Sequence, residues 1–181
     1  MRTNLRANVE LGAQIIIAVA VVVVAGVFVK RQLFPRYAEN LPRINAGERL
    51  NIPEVNWRNS ERTLVLFLNK TCHYCTSSAP FYRELVEAAS RRNVKSVAVL
   101  PNSIEEAKAY LSSVELSVDD VRTGPFSSYK IPGTPTVLIV NSEGMVERVW
   151  FGATAGREKE MRDEFLALLE RSPTTESSAK Q

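Results

Sequence analysis

A short apolar run, Thr63-Leu64-Val65-Leu66-Phe67-Leu68, is separated only by Asn69-Lys70-Thr71 from Cys72-His73-Tyr74-Cys75. A run without polar alternation is what a strand buried on both faces presents, and such strands belong to sheets covered on both sides. Past Cys75 the period changes. Phe81, Leu85 and Ala88 or Ala89 recur at three-to-four spacing, with Arg83, Glu84 and Glu87 facing outward. That pattern predicts a helix to about Arg91, kinked by Pro80. The only two cysteines of the chain therefore stand between a buried strand and a helix.

The downstream segments extend this order. Val94–Leu100 reads as a second buried strand, and Ser103 with Glu106 forms a capping box that opens a helix to about Val114. Val118–Val121 is a short strand candidate. Thr136–Val140, the turn Asn141-Ser142-Glu143-Gly144 and Met145–Phe151 predict a β-hairpin. Arg157–Arg171 is an amphipathic helix with Met161, Phe165, Leu168 and Leu169 inward. Upstream, short extended pieces are expected around Leu50–Pro53 and Val55–Trp57. Strand, helix, strand, helix, hairpin, helix is an α/β order, with one parallel and one antiparallel half. No internal repeat is present.

The amino-terminal region differs in kind. From Leu11 to Val29 no residue is charged, and the centre reads Ile15-Ile16-Ile17-Ala18-Val19-Ala20-Val21-Val22-Val23-Val24. As a helix this run spans roughly 28 Å, close to the hydrocarbon thickness of a bilayer. The predicted organisation is an N-terminal tail (1–10), a single transmembrane anchor (11–29) and a basic, proline-containing juxtamembrane linker (30–45). A folded domain (46–171) and a disordered polar tail (172–181) follow. Cleavage as a signal peptide after Ala18-Val19-Ala20 would leave half the apolar run on the mature chain, so an uncleaved anchor is expected. Arg2 and Arg6 precede the run, whereas Lys30, Arg31, Arg36 and Arg43 follow it. By lysine and arginine count this leans towards a cytoplasmic domain, but the rule loses force when a long domain follows.

Composition excludes other classes. A formal charge of +3, with no basic run longer than Lys30-Arg31 or Arg91-Arg92, gives no footprint for nucleic acid. The eight glycines form neither a GxGxxG nor a GxxxxGK[ST] loop, so a nucleotide site is not expected.

Chemistry concentrates at the cysteine pair. A thiol at a helix N-terminus faces unpaired N–H groups and the positive end of the helix dipole, which favours the thiolate. Cys72 is thus the expected nucleophile, and Cys75, one turn on, can resolve a mixed disulfide by attacking the Cys72 sulfur. His73, the sole histidine, and Tyr74 lie between them as modulating residues; a protonated His73 would stabilise the reduced form. Thr76 stands where attached c-type haem needs histidine, and no second C-x-x-C or remote histidine completes a zinc site. Copper held by Cys72 and Cys75, with or without His73, is chemically admissible, and an inert cysteine pair is a further reading. Ile131-Pro132-Gly133-Thr134-Pro135-Thr136 runs into the Val137–Val140 strand, where a proline marks a turn and an X-Pro bond can be cis.

Together these residues resemble the thioredoxin superfamily over about residues 46–170. The matching landmarks, in order, are the strand before C-H-Y-C, Pro80 five residues past the second cysteine, Gly133-Thr134-Pro135-Thr136 as a cis-proline loop, and Gly152 after the last strand. Ala46-Gly47-Glu48 through Phe67 resembles the entry hairpin of the membrane-tethered, extracytoplasmic branch that includes cytochrome c maturation thioredoxins. The resemblance implies a central mixed sheet flanked by helices, behind one N-terminal transmembrane helix. It also implies a single-pass protein disulfide oxidoreductase with its domain outside the cytoplasm. Its partners would be protein thiol or disulfide substrates and a redox partner, and no cofactor or metal is expected. Cys72 would attack and Cys75 resolve; Pro135 would pack against the disulfide, and Thr134 would offer backbone hydrogen bonds to substrate. The chain departs from the pattern at three places. Thr71 replaces the usual tryptophan, Leu66 the usual buried acid, and Thr76-Ser77-Ser78 the glutamate of the cytochrome-maturation type. Without that acid, the Cys75 proton would depend on water or on His73. The alternative function is a non-catalytic thioredoxin-fold module that binds a partner or copper.

Overall fold

The structure is a computed structural model that describes residues 14, 17–26, 42–152 and 156–171. Two compact units divide at Leu41. In the first, residues 17–26 are helical with exposed side chains. Residues 11–13, 15–16 and 27–29 of the expected 11–29 anchor lie outside the described residues. Among the described residues no helix is long and apolar enough to cross a membrane. The 1–10 tail, the 172–181 tail and all but the end of the 30–45 linker also lie outside them.

The second unit is built on a five-stranded sheet in the order β3-β2-β1-β4-β5. Its strands are β1 (Arg62–Phe67), β2 (Lys95–Leu100), β3 (Asp120–Thr123), β4 (Thr136–Asn141) and β5 (Val146–Phe151). β1 runs parallel to β2, with Val65 opposite Val97, and antiparallel to β4, with Val65 opposite Leu138. β2 and β3 are parallel, while β4 and β5 form the expected hairpin with a register shift at Ile139/Val140. The hairpin turn is tied by the Asn141 side chain, which accepts from the Glu143 and Met145 N–H groups. Gly144 there has φ +81°, and a Cβ on it would strike the Trp57 ring at 2.9 Å.

Alternation along β1 separates two cores. Leu64 and Leu66 face the helices α1 (His73–Ser77), α2 (Ala79–Ser90), α3 (Ile104–Ser113) and α4 (Glu158–Glu170), in one cluster with Cys75, Tyr82, Tyr110 and Phe165. Val65 and Phe67 face the other way, where Ile44, Leu50, Ile52, Tyr129 and Ile131 cover the sheet without an α-helix. Both faces of β1 are buried, as its composition requires, but regular helix covers only one of them.

Several local expectations change. Pro80 does not kink one continuous helix. The helix breaks at Ser78, and Pro80 opens α2, where its missing N–H would lack an intrahelical partner anyway. The segment resembling an entry hairpin is largely irregular. It makes a lone bridge between Arg49 and Met145 and a 3₁₀ turn at Trp57–Asn59, the latter where an extended piece was expected. β3 lies two residues later than the strand read at Val118–Val121. The capping box is half made: Ser103 caps the Glu106 N–H, but the Glu106 carboxylate pairs with Lys70 instead. On α4, Met161 and Phe165 are buried, and Leu166 and Leu169, rather than Leu168, pack on the cluster.

Candidate active site

The site forms at the end of β1 where the chain must turn out of the sheet. Asn69 organises that turn. Its side-chain oxygen accepts from the Thr71 N–H and hydroxyl, and its carbonyl accepts from the Cys72 N–H. Cys72 is thereby delivered to the N-cap of α1, with extended backbone (φ −85°, ψ 110°). Its sulfur accepts the Cys75 N–H at 3.2 Å, as a capping oxygen would.

The second half of the site comes from the far side of the sheet centre. Because β4 pairs antiparallel with β1, Thr136 stands opposite Phe67, and the residues just before β4 lie beside the cysteine loop. The Thr134–Pro135 peptide bond is cis. The Cys72 thiol donates to the Thr134 carbonyl at 3.4 Å, and the Gly152 N–H donates to the Pro135 carbonyl at 2.8 Å. Cys72, Cys75, Thr134 and Pro135, chosen from sequence, are therefore gathered at one place. His73 and Tyr74 sit on the outer side of the same turn. Their rings meet edge-on, 5.7 Å apart, and Tyr74 is 56% exposed. Among the described residues, no hydrogen bond joins His73 to either cysteine.

The two thiols are not equivalent. Both are free, Cys72 half-buried and Cys75 fully buried. Partial burial alone would raise the Cys72 pKa. Hydrogen bonds from the Cys75 and Thr134 side chains and from the Cys75 and Tyr74 N–H groups outweigh it, and the pKa falls below the ordinary thiol value of 9.0. Burial, followed by the hydrogen bond to Cys72, pushes the Cys75 thiol up to about 12. The inner sulfur thus keeps its proton while the outer sulfur is the more readily ionised of the two, the polarity that nucleophilic attack followed by resolution requires.

Two features escaped the sequence. Tyr110 of α3 places its hydroxyl 3.4 Å from the Thr76 hydroxyl, directly after Cys75. Its spacing with Ala107 and Leu111 marks it as a packing residue, and nothing in the sequence separates it from one. Asn69 is the other, hidden as an ordinary strand terminator. Leu66 is fully buried in the cluster that holds Cys75. Among the described residues the buried polar side chains are Arg62, Thr63, Ser78, Ser96 and Thr136, so no buried acid takes over the role missing at Leu66. No group of three or more His, Cys, Asp or Glu side chains among the described residues could hold a metal ion. The three-ligand copper site with His73 is therefore not assembled.

No family model and no curated protein matches the sequence. Solved structures do match the fold. The thioredoxin domain of a thiol-disulfide oxidoreductase from Bacteroides vulgatus is 15% identical, with TM-score 0.55, over 68% of this chain and 99% of its own. A Chlorobium tepidum structure described as a thiol:disulfide interchange protein DsbE is 18% identical, with TM-score 0.57, over 70% of this chain and 99% of its own. A thiol-disulfide isomerase from Corynebacterium glutamicum is 15% identical, with TM-score 0.53, over 74% of this chain and 99% of its own. The mixed sheet, the C-x-x-C at the mouth of α1 and the cis-proline beside it give this chain the thioredoxin-like fold.

Proposed function

We propose that the chain is a membrane-tethered thiol–disulfide oxidoreductase that exchanges disulfides with protein substrates through Cys72-His73-Tyr74-Cys75. The observation that carries this reading is the polarity of the pair, an accessible sulfur with lowered pKa held against a buried one pushed up to about 12. Cys72 attacks a substrate disulfide, releasing one substrate thiolate and forming a mixed disulfide. Cys75 then loses its proton and attacks the Cys72 sulfur, releasing the second substrate thiolate and leaving the Cys72–Cys75 disulfide. Run backwards, the same steps oxidise a substrate dithiol. The bond between the Cys72 thiol and the Thr134 carbonyl puts the cis-proline loop within reach of whatever chain is joined to that sulfur. Thr134 and Pro135 are accordingly assigned to substrate binding. The neighbours' printed names, thiol-disulfide oxidoreductase, interchange protein and isomerase, agree with this chemistry.

The tether rests on the charge-free run from Leu11 to Val29. With that anchor, the domain is assigned to the outer face of the membrane, where disulfides form and persist. A redox partner is required to reset the pair after each cycle.

The test is a redox titration of the full chain against glutathione buffers, with free thiols counted by alkylation, alongside a Cys75→Ser variant. The expected results are a two-electron transition and a trapped mixed disulfide on Cys72. Thiols that never form an internal disulfide, with no trapped species, would overturn the reading. The missing buried acid favours one second reading, a binding module holding Cu(I) between the two thiolates. That reading predicts stoichiometric copper lost in Cys72→Ser and no exchange.

A further inference from the structure

Cys72, taken as the nucleophile proposed above, works only if the chain leaving β1 turns sharply and in one geometry. Few residues are available to make that turn. Leu68 is still held to the sheet, its N–H donating to the Val99 carbonyl at 3.0 Å, and Cys72 already caps α1. Asn69, Lys70 and Thr71 therefore make all of it. Lys70 and Thr71 are exposed, so packing does not fix them, and the Lys70 side chain is turned to Glu106. Hydrogen bonds to Asn69 do the fixing. Its Oδ1 accepts twice from Thr71, from the N–H at 3.1 Å and the hydroxyl at 3.0 Å, and its carbonyl accepts the Cys72 N–H at 3.0 Å. An asparagine that closes on the backbone two residues later makes an Asx turn, here doubled by the Thr71 hydroxyl. The sulfur that follows has little freedom. It accepts the Cys75 N–H at 3.2 Å and donates to the Thr134 carbonyl at 3.4 Å.

We propose that Asn69 is a positioning residue for thiol exchange: by binding the Thr71 N–H and hydroxyl it clamps the turn between β1 and α1, and so holds the Cys72 sulfur on the Cys75 N–H and beside the Thr134 carbonyl. The Asn69 side chain bonds Thr71 and not a sulfur, so it acts through the backbone that carries Cys72. The electrostatics agree with the geometry. Burial alone would raise the Cys72 pKa; hydrogen bonds lower it, the backbone N–H groups of Cys75 and Tyr74 among them. Those bonds require the sulfur to stay where the turn puts it. The other titratable groups around it are Cys75, His73 and Tyr74 on α1, Lys70 in the turn, and Glu106 and Tyr110 on α3. All of them are retained in the variants that test the clamp.

The test follows alkylation of Cys72 by iodoacetamide in the reduced full chain as a function of pH, with the modified site identified by peptide mass. Asn69→Ala is expected to move the midpoint of the profile upward and to slow alkylation about two- to threefold at pH 7. That is the size of a lost capping bond, offset in part because a more basic thiolate is the better nucleophile. Above the midpoint, for the same reason, the variant should match or exceed the unsubstituted chain. Thr71→Val, which removes one of the two bonds, should move the profile the same way by less. Asn69→Ser, whose hydroxyl closes the same kind of turn more weakly, should recover part of the loss. An unchanged profile in Asn69→Ala would overturn the clamp. So would a slowing equal at every pH, the sign of lost access or damaged packing, and so would a serine variant no better than alanine. None of these outcomes bears on the exchange reading, which fails separately if the unsubstituted chain forms no internal disulfide.

Discussion

At the end of the sheet where β1 runs into Asn69 and β4 begins after Pro135, the polar groups are sulfur, hydroxyl and carbonyl. The charges nearest them, Lys70 and Glu106, are solvated. At the opposite end, where β2 and β3 begin, charges are abundant and paired. Asp119 accepts from the Ser96 N–H and hydroxyl and from Lys95, while Arg122 bridges Asp120 and Glu54. That end also holds a cavity of about 320 Å³, bounded in part by Ser60, Ser96, Asp119 and Arg122. A larger hollow of about 680 Å³ follows the β3 edge. Neither touches the cysteines. A deep cavity suits a small molecule, whereas exchange with a protein disulfide needs an accessible sulfur and a backbone to lie along. These two hollows and the cysteines are therefore found in different places, and the end with satisfied charges serves the fold.

The largest effect expected from this contrast is at Cys72. Cys72→Ser should reduce disulfide exchange to background while the reduced protein unfolds at the same denaturant concentration, since a hydroxyl can still cap α1. Loss of stability comparable to a core substitution would show that the cysteine end is structural as well.

Asp119→Ala should give the reverse pattern. Ser96 is 1% exposed, and losing the carboxylate leaves its N–H without the acceptor now 2.9 Å away. An unsatisfied buried donor costs about 1–3 kcal/mol, which a urea titration reads directly, and exchange should be unaffected. The pH dependence has a fixed sign. Burial tends to raise the Asp119 pKa, but Lys95 and Ser96 more than offset it and hold it below the ordinary 3.8. A depressed carboxyl stabilises the fold above its unfolded pKa, and the gain is lost as pH falls through the lower folded value. The advantage over Asp119→Ala should be complete at pH 7 and shrink below about pH 4.

Legibility in the sequence also divides between the two ends. The cysteine loop and the Thr134–Pro135 turn could be read because each is signalled by residues rare enough to carry meaning at fixed spacing. β1, β2 and the hairpin were equally plain, since buried strands show as unbroken apolar runs. The Asp119–Ser96–Lys95 network was not legible, because nothing local says that Asp119 will fold back to the start of β2, 23 residues earlier. Nor was the covering of the second face. Ile44, Leu50 and Ile52 look like scattered apolar residues until the sheet beneath them is formed. Tyr110 was hidden for a related reason: in a helix pattern a tyrosine that only packs and one that also meets the Thr76 hydroxyl are the same letter. Pro80 misled by its own strength. A proline disfavours the helix interior, but whether it kinks a helix or begins a new one is decided by Ser78, where the backbone leaves helical geometry (ψ 3°).

The smallest effect, and the sharpest test of how little charge governs the cysteine end, is expected from Glu106→Gln. Glu106 has its pKa lowered chiefly by the hydrogen bond from Lys70 and by that lysine's charge, so at neutral pH the pair is ionised and compensated. Removing the carboxylate charge frees an ammonium group two residues before Cys72. A bare cation favours the thiolate, so Cys72 alkylation at pH 7 should quicken, and the sign is fixed. The size is limited because Lys70 is solvated and exposed charges interact weakly; about a twofold rise at low ionic strength is expected. It should vanish near 1 M salt, where the screening length is about 3 Å. A rise that survives high salt would mean that Lys70 reaches Cys72 without intervening water. The lysine would then join the hydrogen-bond donors that set the polarity of the pair, and the cysteine end could no longer be described as free of governing charge.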